Sequence, residues 1–187
     1  MNIILFGPPG AGKGTQAKYL VKRLDGFQIS TGDILRDEIK NKTDIGKKIS
    51  NDMNIGKFVS DEIVNELIKK HIFDPKKKDN LIFDGYPRSV NQAKDLGSFL
   101  ENSNQKIDFI FFLNVDKETI LKRIKKRKIL ENRIDDDINT FIKRYDTYMK
   151  TTKPVLDFYS KNQNFKEIDG SLEIAEITRK IDVFINV

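Results

Sequence analysis

A glycine-rich segment near the start of the chain has the residue types needed to hold phosphate groups. It reads GPPGAGKGT over residues 7–15, between an apolar run and an amphipathic stretch. Glycines let the backbone bend until successive N–H groups face phosphate oxygens, and a following helix adds the positive end of its dipole. Lys13 would place a charge between the outer phosphates. The usual Ser/Thr after this lysine is Gly14 here and the hydroxyl follows at Thr15, so direct metal coordination by that hydroxyl is less expected.

Five arginines could bind further phosphate oxygens, because the planar guanidinium can bond two oxygens at once. Any single one on a helix is more often a solvated surface residue, but together, at predicted strand ends and lobe edges, they favour charge neutralisation. Asp84 is predicted to end a strand and could hold Mg²⁺ through water, because Mg²⁺ dehydrates reluctantly. The alternative is a turn aspartate before Gly85. The five arginines are Arg36, Arg88, Arg123, Arg133 and Arg144.

Short apolar runs alternate with longer amphipathic stretches, and this order predicts how those residues are held. The apolar runs are continuous, which is typical of parallel strands covered on both faces. The pattern predicts an α/β fold with a doubly wound, parallel, five-stranded sheet. The predicted strands are Asn2–Phe6, Phe27–Ile29, Leu81–Phe83, Phe109–Leu113 and Phe165–Ile168. The predicted helices include Gly14–Leu24, Ile63–His71, Gln92–Leu100 and Lys117–Lys125.

Two stretches do not fit the simple alternation. Residues 30–80 contain no convincing strand and are longer than one covering helix needs. With breaks expected at Gly46 and Gly56, they predict an inserted helical lobe over residues 30–59. A second irregular piece, 127–133, is bracketed by arginines, with Arg123 and Arg127 on one helix face. We therefore predict a single domain, 1–187, whose core comprises 1–29, 60–126 and 134–187.

Composition narrows the class of protein. The chain has no cysteine and one histidine, which argues against a zinc site or any other site built on Cys or His. The net charge of +6 is compatible with nucleic acid, an anionic membrane or a phosphate-rich ligand. No apolar run approaches the ~20 residues of a membrane-spanning helix, and the first residues read as a buried strand, not a signal peptide. We expect a cytoplasmic protein and, without a heptad pattern, a monomer.

Three motifs in order, GKGT at 12–15, STGDILR at 30–36 and DGYPR at 84–88, resemble the adenylate kinase family of nucleoside monophosphate kinases. The resemblance continues through NIGKFV at 54–59, the arginines and RIDD at 133–136 to IDG at 168–170, and covers nearly the whole chain. It implies a P-loop NTPase-type fold and reversible, Mg²⁺-dependent phosphoryl transfer from ATP to AMP, giving two ADP. Residues 30–59 would bind the monophosphate, and 127–133 would form the short lid that carries no zinc.

The resemblance also implies which residues serve each nucleotide. Phosphoryl transfer would proceed by positioning and charge neutralisation, without a general base, because the acceptor phosphate is already an anion. The implied catalytic residues are Lys13, Arg88, Arg123, Arg133 and Arg144. The implied ATP-binding residues are Gly10, Ala11, Gly12, Lys13, Gly14, Thr15, Arg123, Arg127 and Gly170. The implied AMP-binding residues are Thr31, Arg36, Lys57, Phe58, Val59, Gly85, Tyr86, Pro87, Arg88, Gln92, Arg133 and Arg144.

Two positions distinguish possible acceptors within the family. Adenylate kinases favour Thr and Gln where this chain has Thr31 and Gln92, whereas pyrimidine monophosphate kinases tend toward Ala and Asn. A glutamine amide can match the amine and ring nitrogen of adenine. AMP is therefore the expected acceptor, and UMP or CMP is the alternative.

Two other classes of protein explain the sequence less well. A P-loop switch would need an Asn-Lys-x-Asp motif after a late strand, and NKTD at 41–44 lies in the helical lobe instead. A nucleic-acid binder would leave the phosphate motifs unexplained. The expected partners are ATP, AMP and ADP, with neither nucleic acid nor membrane.

Overall fold

The computed structural model describes residues 1–74, 79–131 and 138–185, with only the backbone of 127–131. Its five strands form one sheet in the order β2-β3-β1-β4-β5, and every neighbouring pair is parallel. This confirms the predicted fold class. Four strands extend one residue beyond the predicted ends, in each case onto a polar residue. The strands are β1 Asn2–Phe6, β2 Phe27–Ser30, β3 Leu81–Asp84, β4 Phe109–Asn114 and β5 Phe165–Asp169.

Helices follow each strand in the described part of the chain. One π-helical turn, Tyr148–Thr152, joins α7 to α8. None of the described helices has the length and apolar character needed to cross a bilayer. The helices are α1 Lys13–Leu24, α2 Thr31–Lys40, α3 Asp44–Asn54, α4 Asp61–Ile72, α5 Val90–Glu101, α6 Lys117–Glu131, α7 Ile138–Thr147, α8 Lys153–Tyr159 and α9 Ile174–Ile185.

The core lies on both faces of the sheet, because successive side chains of a strand point to opposite sides. Ile3 and Leu5 of β1 pack on one face with Leu20 of α1 and with α9. Ile4, between them, packs on the other face with Leu67 of α4 and with α5. All of β1 is buried. Coverage on both sides explains why the strands appear in the sequence as continuous apolar runs.

The predicted helical insertion is formed by α2 and α3, but the expected break at Gly46 was wrong. Gly46 lies inside α3, where a Cβ would come 2.1 Å from the carbonyl oxygen of Glu38 on α2. This glycine therefore allows two helix backbones to approach closely. The break at Gly56 is confirmed: α3 has ended, and the residue has a φ of 77°.

The carboxyl ends of the central strands meet at one edge of the sheet. Asp84 of β3 is in register with Ser30 of β2 and with Leu5 of β1. Asn114 of β4 is in register with Asp169 of β5. The segments that follow these strands therefore emerge side by side. In open α/β sheets this edge is where ligands bind.

Candidate active site

A cavity of about 630 Å³ opens at this edge. Most of the residues predicted from the sequence line it. Arg133 and the side chain of Arg127 lie outside the described residues, so their roles stay predictions. The irregular start predicted for the range 127–133 was wrong, because the backbone of 127–131 continues α6. The predicted residues that line the cavity are Gly10, Ala11, Gly12, Lys13, Gly14, Thr15, Arg36, Phe58, Asp84, Gly85, Pro87, Arg88, Arg123 and Arg144.

The glycine-rich loop bends tightly between β1 and α1. Gly10 and Gly12 have φ of 85° and 95°, in the left-handed region that glycine tolerates best. The Lys13 ammonium donates to the carbonyl oxygens of Gly7 at 2.7 Å and Pro8 at 3.0 Å, which holds the charge within the bend. The first turn of α1 contains no acidic residue. Its N–H groups and the ammonium therefore form a positive cradle for phosphate.

Asp84 places one carboxylate beside this cradle. Its Oδ2 accepts a hydrogen bond from Gln28 Nε2 at 3.2 Å and would lie 3.5 Å from a Cβ at Gly14. Burial raises the pKa of this carboxyl, while the charges of Lys13 and Arg88 act to lower it. Among the described residues, no group of three or more His, Cys, Asp or Glu could hold a metal ion. Asp33 also lines the cavity, and its charge raises the Asp84 pKa further. A site with so few carboxylates suits Mg²⁺, which keeps several waters and takes other ligands from substrate phosphates.

Arg88 lies at the centre of a cluster of positive charges. Its Nε donates to the carbonyl oxygen of Gly85 at 2.7 Å, and its Cζ lies 4.6 Å from the centroid of the Phe58 ring. Burial, together with the charges of Arg144 and Arg36, lowers the pKa of Arg88 to about 10. The side chain stays protonated at neutral pH. Cations held together against their repulsion prepare the site for an anion.

Two other arginines, Arg36 and Arg144, line the cavity near Arg88. Arg36 forms an ion pair of 2.6 Å with Asp33, whose backbone N–H is capped by Ser30 Oγ at 3.3 Å. Arg144 on α7 approaches Gly56 at the end of the helical insertion, where a Cβ would lie 3.4 Å from its Cγ. The insertion therefore contributes a cation to the cavity and contacts the helix that carries another.

Arg123 bonds backbone carbonyl oxygens on two sides of the cavity. Its Nη1 donates to Gly170 at 2.7 Å and to Ala11 at 3.4 Å, and its Nη2 donates to Ser171 at 3.3 Å. This arginine joins the phosphate loop to the turn after β5. Gly170 is tightly enclosed there, since a Cβ would come 2.5 Å from Val115 Cγ2. The structure shows Gly170 as a partner of Arg123.

Thr31 and Gln92 lie beneath the cavity and make internal bonds. They are 1% and 2% exposed. The Thr31 hydroxyl donates to the Gly85 carbonyl at 2.9 Å. The Gln92 amide oxygen accepts from the Arg88 N–H at 2.7 Å, while its Nε2 donates to Asp61 Oδ1 at 2.7 Å. Both side chains support the segment after β3, and their contact with an acceptor base stays a prediction.

Three further residues predicted to bind AMP differ in how far their side chains are buried. The Tyr86 side chain is buried, and its hydroxyl donates to Asn65 Oδ1 at 2.7 Å. Val59 is buried in the core. Lys57 is exposed, with its backbone N–H bonded to the Asp52 carbonyl at 2.9 Å. Of these three, Lys57 alone has an exposed side chain.

The sequence assigned no role to several residues that line the cavity, and three of these bear on how the site is held. Gln28 holds the Asp84 carboxylate, and Tyr148 and Thr152 lie on the π turn. Tyr148 and Thr152 follow Arg144 at intervals of four residues, so extending that helix face would have found them. The role of Gln28 could not be predicted from its neighbours in the sequence, because its partner Asp84 is 56 residues away.

Comparison with known proteins places the chain in a family. The family model for adenylate kinase matches residues 5–164. The chain is 49% identical to the adenylate kinase of Pelagibacter ubique (strain HTCC1062), with 100% of both chains covered. It is 40% identical to that of Caulobacter sp. (strain K31), covering 100% of this chain and 99% of the relative. It is 38% identical to that of Mycoplasma capricolum subsp. capricolum, covering 94% of each. The chain belongs to the adenylate kinase family.

Proposed function

We propose that this chain transfers the terminal phosphoryl group of ATP to AMP and, in reverse, forms ATP and AMP from two ADP. The observation that supports this most directly is one cavity lined by the phosphate loop with Lys13 and by four arginines, Arg36, Arg88, Arg123 and Arg144. A single nucleotide would not need so many cations, whereas two nucleotides whose phosphates face each other would need them. Family membership and the names of the relatives support the same activity.

The reaction needs charge neutralisation more than proton transfer. ATP phosphates would lie in the loop, with Lys13 between the outer groups, and the AMP phosphate would lie against Arg36, Arg88 and Arg144. The acceptor oxygen is already an anion, so no general base is required. The positive cluster would stabilise charge that spreads over the transferring group, and its preorganisation makes that stabilisation effective.

Mg²⁺ would enter with ATP. When bound, the ion neutralises phosphate charge and orients the oxygens for in-line transfer. Asp84 is the residue we propose for it, through bridging water, because the side chain presents one carboxylate beside Lys13. Gln28 would orient that carboxylate by its hydrogen bond to Oδ2.

We further propose the lobes expected from the sequence: 30–59 for AMP, 127–133 as a lid, and 1–29, 60–126 and 134–187 as the core. The contact of Gly56 with α7 supports a role of the insertion in completing the acceptor site. The helix α6 reaches Glu131, so the proposed lid would begin as a continuation of that helix. A monomeric state, a cytoplasmic location and the absence of zinc and nucleic-acid partners stay predictions.

A coupled assay of ADP formation tests the function. With MgATP, AMP should be converted much faster than CMP or UMP, and equal rates would overturn the choice of acceptor. Lys13→Met should lower kcat about 100-fold or more, because the charge acts mainly in the transition state. A compound that joins two adenosines by five phosphates should raise Tm at saturation. No shift would contradict two facing nucleotide sites.

A further inference from the structure

Buried side chains bond the backbone of Arg88 on both sides. Its N–H donates to Gln92 Oε1 at 2.7 Å, and its carbonyl oxygen accepts from Thr152 Oγ1 at 3.1 Å. Gln92 is 2% exposed and Thr152 is 4% exposed. Gln92 is itself held by Asp61 at 2.7 Å. The backbone N–H of Arg88 is therefore fixed by a side chain four residues later, and its carbonyl oxygen by a side chain from a distant part of the chain.

The π turn brings Thr152 into this position. The Lys153 N–H donates to the carbonyl of Tyr148, five residues earlier, and Pro154 has no N–H with which to continue the α-helical pattern. In an α-helix, residues four apart rotate by more than a full turn. The wider π turn has more residues per turn, so it reduces the rotation beyond a full turn between residues four apart. As a result Arg144, Tyr148 and Thr152 all line the cavity.

We propose that Thr152 is a positioning residue, whose hydroxyl holds the Arg88 carbonyl so that the guanidinium stays directed into the cavity. The reason is electrostatic. Arg144 and Arg36 repel the Arg88 side chain while Asp84 attracts it, and these opposing forces would favour a shift of the segment that carries it. Hydrogen bonds at both peptide groups oppose that shift. The inference rests on the proposed function, in which Arg88 binds the acceptor phosphate.

The alternative is that Thr152 is an ordinary core residue whose hydroxyl simply finds an acceptor. Removing the hydroxyl would then change stability alone. The positioning role predicts that kcat falls because the Arg88 guanidinium is misplaced, since even a small misplacement of a charge-stabilising group lowers the rate. The two roles therefore predict different values of kcat for variants of Thr152, and different additivity when Thr152 and Arg88 are changed together.

The test compares variants in the coupled assay with MgATP and AMP. Thr152→Val removes the hydroxyl and keeps the shape, and we expect kcat to fall about tenfold or more. Thr152→Ser keeps the hydroxyl and should stay within about twofold of wild type. Thr151→Val is the matched control, because Thr151 is exposed on the same turn and its hydroxyl bonds the Thr147 carbonyl at 2.9 Å. If Thr152→Val does not fold, Thr152→Ala replaces it.

The double variant with Arg88→Ala separates positioning from structure. If Thr152 acts through Arg88, adding Thr152→Val to Arg88→Ala should cause no further loss of kcat. An additive loss overturns the proposal, as does a folded Thr152→Val variant with wild-type kcat. Equal losses in Thr152→Ser and Thr152→Val overturn it too. A wild-type chain that does not convert AMP overturns the proposed function and the inference with it, and that result is distinct from an active enzyme insensitive to Thr152.

Discussion

Replacing Arg88 by methionine should abolish most activity while leaving the fold nearly as stable. Burial, together with the neighbouring positive charges, lowers the Arg88 pKa from 12.5 to about 10. Since the folded-state pKa is the lower one, the charge opposes folding at neutral pH, by roughly 3 kcal/mol at 1.36 kcal/mol per pKa unit. The side chain is only partly buried, so solvent screening reduces this to about 2 kcal/mol. Removing the charge recovers that free energy.

Two interactions of the guanidinium disappear in this variant, and their removal nearly cancels the gain. The hydrogen bond to Gly85 contributes about 1 kcal/mol, and the Gly85 carbonyl keeps its second donor, the Thr31 hydroxyl. The cation over the Phe58 ring contributes about 0.5–1 kcal/mol. Arg88→Met should therefore change the free energy of unfolding by no more than about 1 kcal/mol in either direction. Loss of the phosphate contact should lower kcat about 100-fold or more.

Two measurements on one preparation check this prediction. Urea unfolding followed by circular dichroism gives the free energy of unfolding, and the coupled ADP assay gives kcat. Arg179→Met serves as control, because Arg179 is exposed on α9, and both quantities should stay at wild-type values. A kcat of Arg88→Met within tenfold of wild type would refute the assigned role. A loss of stability above about 2 kcal/mol would refute the electrostatic reasoning.

Gly46→Ala should lower the free energy of unfolding by about 1–3 kcal/mol, because its Cβ would come 2.1 Å from the Glu38 carbonyl. Gly97→Ala, inside α5 with no atom near its Cβ, should raise it by about 0.5–1 kcal/mol, and effects of the same sign in urea unfolding would contradict this packing. Asp84→Asn should become more stable relative to wild type as pH rises from 3.8 through the raised pKa of Asp84 in the folded state, because burial raises that pKa and ionisation then opposes folding. If the difference in stability between Asp84→Asn and wild type does not change with pH in the same assay, burial does not raise the pKa of the Asp84 carboxyl.

The elements that depend on local pattern were predicted well. All five strands were found, because strands covered on both faces consist of continuous apolar residues. Their ends were less accurate: β2 to β5 each continue onto a polar residue, since backbone pairing does not require an apolar side chain. The phosphate loop was also predictable, because its bend and its charge come from neighbouring residues, and Gly10, Gly12 and Lys13 take the expected places.

The sequence alone therefore determined the fold class, the phosphate loop and the four arginines that line the cavity in the described part of the chain. The tertiary structure decided what those side chains touch. Thr31 and Gln92, predicted to contact the acceptor base, are buried under the segment that carries Arg88. Thr152 bonds the carbonyl oxygen of Arg88, 64 residues away, and no local pattern predicts that partner. Periodicity records which face of an element is buried, whereas these contacts depend on the angles at which distant elements pack.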